Sequence, residues 1–320
     1  MGPVDRDGRG GSRMASLARP RTEERTRLAV IADPHLSTRE SGTSKLFERT
    51  ERHVRLALED AAMRDPDAVV CVGDITKDGE RWNFDRFDEL FAAAEIDAPF
   101  YGVPGNHDVP KEGYDHDNLP VSAFAERYAP ADGFPFHTEV GGVDLIGLNS
   151  AGDESFLTDS HEGLVREESL AWLDDTLPEA ETPVVLTHFN FPGMFEQIRR
   201  HRELAEPDMF VPPEQREPER FADTLAAHDV PLVLTGHLHM PSTTTAQGVR
   251  EVMVPTTCSF PQSYLLVDIG PEGTEITLVP CAEFEGTVVG HRERRTDSVT
   301  ARGLTSMAAA RLAQFPLVEE

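Results

Sequence analysis

The stretch Leu28-Ala29-Val30-Ile31-Ala32-Asp33-Pro34-His35 joins an apolar run to two residue types that bind metals. Consecutive aliphatic residues of this kind are typical of a short buried strand. Asp33 and His35 follow directly, and in an extended chain the side chains of residues i and i+2 point the same way. The stretch therefore predicts a buried strand that ends in a carboxylate and an imidazole able to hold one ion.

The same arrangement recurs four more times along the chain. Each further motif follows a strand-like apolar run, and the motifs are Gly73-Asp74, Gly105-Asn106-His107-Asp108, His188 and Gly236-His237-Leu238-His239. In layered α/β folds, ligands bind in the crevice outside the carboxyl ends of the strands. Carboxylate, amide and imidazole groups gathered there would suit two divalent cations.

Alternating strand and helix signals indicate the fold class. Helices predicted around Ser44–Met63 and Glu80–Ala94 alternate with the strands, and Gly141-Gly142 predicts a hairpin turn. We expect an α/β fold, a four-layer α-β-β-α sandwich in which two mixed β-sheets pack face to face between outer helices.

The chain divides into three predicted segments. Residues 1–25 are rich in Gly, Arg and Ser without periodicity, so we expect them to be disordered. Residues 26–283 contain all five motifs and form one domain. Residues 284–320 are predicted to be a polar tail with one helix near Leu304–Phe315.

A segment of about 25 residues, 193–218, follows the fourth motif and has two interpretations. Met194, Phe195 and Ile198 have helical spacing, next to the basic stretch 199–202. One interpretation is a lid whose apolar face covers a substrate base or acyl group, with an arginine near a second phosphate. The other is a surface helix with a small apolar stripe.

The chain is strongly acidic. It has 57 Asp plus Glu against 30 Lys plus Arg, a net charge of −27, and Lys45, Lys77 and Lys111 are its only lysines. This charge argues against membrane surfaces and long nucleic acids as partners. Acid excess with few lysines favours a halophile, whose salt-rich cytosol would screen the self-repulsion, because the Debye length falls to about 3 Å at 1 M salt. The alternative is ordinary acidity that serves solubility.

Cysteines and hydropathy favour a cytoplasmic protein. Cys71, Cys258 and Cys281 include no CxxC pair, so neither a disulfide framework nor a zinc cluster is expected. No apolar run approaches the roughly 20 residues that a membrane-spanning helix needs.

The order of the five motifs resembles the calcineurin-like metallophosphoesterase superfamily, over roughly Leu28–Pro280. The resemblance implies two divalent metal ions that share a hydroxide, which attacks a phosphate ester in line. Mn²⁺ is the expected ion, with Fe, Zn²⁺ and Co²⁺ as alternatives. The implied ligands of the first metal are Asp33, His35, Asp74 and His239, and those of the second are Asp74, Asn106, His188 and His237.

The resemblance also implies two catalytic residues in the third motif. His107 would face the substrate, stabilise charge on the phosphoryl group and protonate the leaving oxygen. Asp108 would orient and charge the His107 imidazole. The alternatives are a structural histidine and a carboxylate that caps a loop.

The second motif, Gly73–Gly79, resembles the cyclic-nucleotide phosphodiesterase (class III) branch, and Lys77 stands where the purple acid branch has a tyrosine. In the cyclic-nucleotide branch His-Pro-Pro often follows the fourth-motif histidine, whereas here Phe189-Asn190-Phe191-Pro192 follows His188. The resemblance implies hydrolysis of a small phosphodiester, a cyclic nucleotide or similar. Alternatives are a phosphomonoesterase, a DNA-repair-type nuclease, which the third motif also resembles, and a non-catalytic metal-binding scaffold.

Overall fold

The computed structural model of the chain describes residues 10–111, 117–130, 133–152 and 162–320. Two mixed β-sheets of seven and six strands lie face to face, and helices cover their outer surfaces. The predicted four-layer α/β sandwich is therefore confirmed.

The first sheet supplies three of the motif-bearing strands. Its strands, in spatial order, are β13 (Val318–Glu319), β1 (Ser12–Leu17), β12 (Gly273–Pro280), β11 (Ser263–Gly270), β2 (Thr26–Ile31), β3 (Ala68–Cys71) and β4 (Phe100–Gly102). Strands β2, β3 and β4 are parallel, whereas β11 is antiparallel to β2. The carboxyl ends of the three parallel strands consequently meet at one edge of the sheet.

The second sheet supplies the other two. Its strands, in spatial order, are β5 (Phe136–Val140), β6 (Val143–Gly147), β7 (Pro183–Leu186), β8 (Leu232–Thr235), β10 (Val249–Met253) and β9 (Ser242–Ala246). Strands β6, β7, β8 and β10 are parallel. The antiparallel pair β5 and β6 forms the predicted hairpin around Gly141-Gly142.

Helices pack on both sheets and at one end of the sandwich. The helices are α1 (Phe47–Ala62), α2 (Arg81–Ala93), α3 (Val121–Tyr128), α4 (Glu167–Thr176), α5 (Pro192–Leu204), α6 (Pro218–Ala227), α7 (Phe284–Asp297) and α8 (Val299–Leu312). Helices α1 to α3 cover the first sheet, and α4 and α6 cover the second. Within the described part of the chain, no helix has the length and apolar composition to cross a membrane.

The continuous apolar run of β2 follows from its position between two layers. Leu28 and Val30 pack in the core between the sheets, whereas Ala29 and Ile31 pack against the outer helices. All four side chains are essentially inaccessible to water. A strand buried on both faces has no polar face, which explains why its sequence does not alternate.

The prediction of disorder at the amino terminus is wrong for residues 12–17. Residues 1–9 lie outside the described residues, but Ser12–Leu17 forms β1, which pairs with β12 and β13. Met14 and Leu17 are buried in the core between the sheets. The composition of this segment is weakly strand-like, and its stability comes from pairing with two strands more than 250 residues away in sequence.

The carboxyl-terminal segment is more structured than the predicted polar tail. Its expected helix is α8, which begins at Val299, and α7 and β13 were not predicted. Leu304, Met307 and Ala308 of α8 pack in one apolar cluster with Met194 and Ile198 of α5. The segment therefore forms part of the packed structure.

Candidate metal centre

The ends of five strands bring the predicted ligands to one place. Asp33 and His35 follow β2, Asp74 follows β3, and Asn106 lies four residues after β4. His188 follows β7, and His237 and His239 follow β8. All seven lie at the edge where the carboxyl ends of parallel strands from the two sheets face each other.

The backbone at this edge is left-handed, not extended as predicted. The φ angles are 48° at Asp33, 43° at His35, 54° at Asp74, 73° at His237 and 57° at His239. Positive φ is uncommon for residues other than glycine and tends to cluster at functional sites. Backbone hydrogen bonds hold the first two turns, from the Asp33 amide to Gly73 and from the His35 amide to Asp74.

Two glycines make room for the gathered side chains. A β-carbon on Gly73 would lie 2.4 Å from Nδ1 of His188, and one on Gly105 would lie 2.2 Å from Oδ1 of Asp74. Gly73 also has a φ of +101°, which other residues rarely adopt. Side chains of neighbouring ligands therefore require a glycine before Asp74 and another before Asn106.

Four of the predicted ligands form a compact cluster. One ligand atom from each of Asp33, His35, Asp74 and His239 lies within 4.8 Å of all the others. His239 Nε2 is 3.3 Å from Asp33 Oδ1, and His35 Nε2 is 3.5 Å from Asp74 Oδ2. These are the residues that the resemblance implies for the first metal.

A second group shares Asp74 with the first. Oδ2 of Asp74 is also 3.5 Å from His188 Nε2, so it lies equally far from one histidine of each group. Asn106 Oδ1 is 3.2 Å from His188 Nε2, and the His237 ring centroid is 5.2 Å from that of His188. Burial lowers the pKa of His188, but the Asp74 carboxylate outweighs it and raises the pKa to about 9.

The donor chemistry of both groups fits divalent cations. His188 Nδ1 donates to the Val72 carbonyl at 2.8 Å, so its Nε2, which faces Asp74 and the oxygen of Asn106, is the nitrogen that can exchange its proton for a cation. Nε2 of His35 and Nε2 of His239 face each other at 3.0 Å. Imidazole nitrogens and oxygens that converge in this way are donors that divalent transition metals accept. Nδ2 of Asn106 is buried without a hydrogen-bond partner among the described residues, whereas its Oδ1 is directed into the ligand group.

His107 lies beside the first ligand group, and contacts to its Nδ1 hold the ring in place. Its Nδ1 donates to the Lys77 carbonyl at 2.6 Å and lies 3.3 Å from Oδ1 of Asp78. Its Nε2 accepts from Lys45 Nζ at 2.9 Å on the cavity side. Burial, followed by the charge of Lys45, lowers the pKa of His107 to about 4.

Asp108 does not orient His107, contrary to the prediction. Its Oδ1 accepts from the amide and hydroxyl of Thr76, and its Oδ2 accepts from the amides of Ile75 and Gly105. Burial and the charge of Asp74 raise the pKa of Asp108 to about 7. Its side chain ties the second motif to the third, which was the alternative of a loop-capping carboxylate.

Sequence reasoning missed Asp78 and Lys45, two residues that contact the His107 ring. Asp78 lies inside the second motif, and its position four residues after Asp74 could have drawn attention to it. Burial raises the pKa of Asp78, but hydrogen bonds with His107 and Lys77 outweigh it and lower the pKa below its usual value. Lys45 lies in a loop with no motif, and the scarcity of lysine was its only signal.

A buried network accounts for Asn190 after the fourth motif. Asn190 Nδ2 donates to Glu251 at 2.9 Å, to the Thr235 hydroxyl at 2.8 Å and to the Gly236 carbonyl at 3.2 Å. Glu251 also accepts from the Phe191 amide at 3.0 Å. Burial raises the pKa of Glu251 to about 7. The network joins the loop of His188 to the loop of His237, so Asn190 has a structural reason to replace proline.

A further buried cation, Arg294 of α7, holds the fifth motif. Its Nη1 donates to the carbonyls of His239 at 2.9 Å and Phe260 at 2.5 Å. Burial lowers the pKa of Arg294 to about 10. The carboxyl-terminal helices are thereby tied to the backbone of a candidate metal ligand.

A cavity of about 450 Å³ opens over the candidate centre. Lys45, His107 and Arg294 line its polar side, and Phe210 and Leu304 line its apolar side. Phe210 is 76% exposed although it is a large apolar residue. The cavity therefore offers both charged and apolar surfaces beside the metal ligands.

The apolar residues proposed for a lid lie elsewhere. Met194, Phe195 and Ile198 of α5 are fully buried in the cluster that includes α8, and they do not line the cavity. Arg199 forms an ion pair with Glu214. The part of segment 193–218 that reaches the cavity is 210–213.

Comparison with known families gives one match over most of the chain. A sequence model of calcineurin-like phosphoesterases matches residues 26–241. The matched region includes all seven candidate ligands and His107, whereas Arg294 and the helix residues of the cavity wall lie beyond it.

Curated relatives align with part of the chain. A probable cyclic nucleotide phosphodiesterase from Pseudoalteromonas sp. (strain SM9913) is 33% identical over 152 residues, 47% of this chain and 52% of that protein. A probable glycerophosphodiester phosphodiesterase from Arcobacter nitrofigilis is 32% identical over 188 residues, 56% of this chain and 59% of that protein. The chain thus spans between 52% and 59% of the length of these two relatives.

Among solved structures, a dimetal phosphatase from Danio rerio has a TM-score of 0.58 and is 14% identical. The match covers 79% of this chain and 98% of that one. At this identity the likeness concerns the fold alone.

Proposed function

The chain belongs to the calcineurin-like phosphoesterase family, and we propose from this and from its site that it hydrolyses a small phosphodiester with two divalent metal ions. The observation that carries the proposal is the position of Asp74. One oxygen of this buried carboxylate lies 3.5 Å from a histidine of each ligand group. A single carboxylate placed in this way can bridge two ions.

We assign the ligands of both ions as the motif order implies. Asp33, His35 and His239 would hold the first ion, and Asn106, His188 and His237 the second, with Asp74 common to both. Mn²⁺ is our first choice, because oxygen and imidazole donors without thiolate suit it. Two ions bound here would polarise the phosphoryl oxygens. They would also lower the pKa of water, so that hydroxide is available to attack phosphorus.

The residues around His107 would act on the substrate. The Lys77 carbonyl and Asp78 hold its Nδ1, so its Nε2 is directed to the cavity. A bound phosphate ester would raise the pKa of His107, and we assign to its protonated Nε2 contact with the phosphoryl group and with the leaving oxygen. A second ester group of the substrate would lie against the apolar side of the cavity, where Phe210 is exposed.

His107→Ala tests the catalytic assignment. We expect turnover of bis-p-nitrophenyl phosphate with Mn²⁺ to fall by about a hundredfold or more, since an acid–base residue typically contributes 10²–10⁴. His137→Ala is a matched control, because His137 is paired with Asp144 on β5 and β6, outside the cavity. A wild-type protein without turnover, or a His107→Ala variant as active as wild type, would contradict the assignment.

A substrate panel tests the phosphodiester class. Cyclic nucleotides, glycerophosphodiesters, nucleotides and monoesters would be assayed with Mn²⁺ at low and molar KCl. We expect the highest kcat/KM on a cyclic nucleotide or a similar small diester, as the names of the curated relatives suggest. A preference for monoesters would exclude this substrate class and leave the metal centre in place.

A further inference from the structure

All three lysines of the chain lie around one histidine. Lys45 donates to Nε2 of His107, the carbonyl of Lys77 accepts from its Nδ1, and Lys111 Nζ lies 3.5 Å from the same Nδ1. The other basic residues are arginines, since Lys and Arg together number 30. Lysine is thus confined to the surroundings of the cavity.

Lys45 differs from the other two in its charge partners. Lys77 and Lys111 both form ion pairs with the Asp78 carboxylate. Nζ of Lys45 instead lies between two imidazoles, 2.9 Å from His107 Nε2, to which it donates, and 3.2 Å from His35 Nδ1. Among the described residues, no carboxylate forms an ion pair with Lys45, although the chain carries 57 acidic side chains.

The position of Lys45 suits an anion that comes from outside. Its side chain lines the cavity together with His107, Asp74 and Asn106, so it borders the place where the phosphoryl group would bind. An ammonium group has three protons, and the two histidines accept at most two of them. Removing a cation from water without an ion pair is unfavourable unless an anion or several acceptors compensate it.

We propose that Lys45 binds a non-bridging oxygen of the substrate's phosphoryl group, on the side of the metal centre where His107 lies. The inference rests on the proposed function, because it uses the same cavity. A lysine is a compact point charge, and it fits between two imidazoles where a planar guanidinium would need more room.

Binding of inorganic phosphate to the Mn²⁺-loaded protein tests this inference without turnover. Lys45→Met removes the charge and keeps the length of the side chain. We expect the Kd for phosphate, measured by calorimetry, to rise by about ten- to a hundredfold, which is the loss of one hydrogen bond to a charged group. Lys45→Arg, which keeps the charge, should recover part of the affinity.

Arg49→Met is the matched control. Arg49 lies on α1 four residues from Lys45, and its removal changes the net charge by the same amount outside the cavity. We expect its Kd for phosphate to stay within about twofold of wild type, because exposed charges are screened by salt. Equal weakening in Arg49→Met and Lys45→Met would overturn the inference in favour of a long-range charge effect.

Metal content separates substrate binding from a role in holding His35. Lys45→Met should bind the same number of Mn²⁺ ions as wild type, and loss of metal would overturn the inference. If the methionine variant does not fold, Lys45→Gln replaces it. A wild-type Kd in the neutral variant, or a wild-type protein that binds no phosphate, would also overturn it. If Lys45→Met binds phosphate more weakly but the wild-type protein hydrolyses no phosphodiester, the role of Lys45 in phosphate binding is supported and the proposed function is refuted.

Discussion

Asp78 and Asp108 have different roles beside the same histidine. Asp78 contacts the His107 ring, whereas Asp108 accepts four hydrogen bonds from the second and third motifs. Adjacency in sequence suggested that Asp108 orients His107, but adjacent side chains on a tight turn point in different directions. At the residue scale, the carboxylate beside the ring comes from another loop.

Asp108→Asn should destabilise the fold and leave the ring contacts of His107 in place. One amide group would replace an oxygen that accepts two hydrogen bonds, and we expect a loss of about 2–4 kcal/mol in the free energy of unfolding. Urea unfolding in the absence of metal measures it. Asp78→Asn is the comparison: it removes the carboxylate beside the His107 ring, and we expect it to lower kcat as well as stability. An Asp108→Asn variant as stable as wild type would contradict the capping role.

At the scale of elements, the carboxyl-terminal helices complete a site that the five strands begin. Helix α7 supplies Arg294 to the backbone of His239, and α8 supplies Leu304 to the cavity wall. Helix α8 packs on α5, which follows the fourth motif, and α7 packs on α8. The family match ends at residue 241, so this wall is a feature by which the chain can differ from other members.

Arg294→Met should weaken metal binding. Two carbonyls would lose their donor, and the loop that carries His239 would lose its anchor. Partners of metal ligands typically contribute 10- to 100-fold to metal affinity, and we expect a change of about this size. Titration of the metal-free protein with Mn²⁺ measures it.

Arg295→Met is the control for this prediction, because Arg295 is the exposed neighbour of Arg294 on the same helix. Its affinity for Mn²⁺ should match wild type. A lower Tm in Arg294→Met with unchanged metal affinity would show that Arg294 stabilises the fold without acting on the metal centre.

At the scale of the whole molecule, the net charge of the chain is negative, whereas cationic side chains line the cavity. The chain has a net charge of −27, but Lys45 and the buried Arg294 line the cavity. Local cations and bound metal ions dominate the field that a small phosphate ester meets. The acidic surface acts over longer distances and affects mainly stability and the exclusion of polyanions.

Salt should therefore stabilise the protein. Raising KCl from about 0.1 M to about 1 M shortens the Debye length from about 10 Å to about 3 Å and screens the repulsion among carboxylates. A gain of about 2 kcal/mol would raise Tm by about 3 °C in a chain of this size. Scanning calorimetry with saturating Mn²⁺ measures it, with sucrose as a control for exclusion effects. A constant or falling Tm would contradict the halophile hypothesis.

The sequence predicted most of the fold because its strands are buried on both faces. Runs such as Ala68–Val72 and Leu232–Leu234 are apolar throughout, and polar ligands begin where each run ends. Strand β1 and helix α7 escaped prediction because their own sequences carry little periodicity. Their stability depends on partners far away in the chain, such as β12 for β1.

By itself, the sequence determined which residues meet at the candidate centre, since parallel strands necessarily bring their carboxyl ends to the same edge. The tertiary structure alone decided the left-handed backbone of Asp33 and His35, the exchange of Asp108 for Asp78, and the positions of Lys45 and Arg294. These features arise from contacts between loops and helices that no local pattern encodes, because each depends on side chains brought together only by folding.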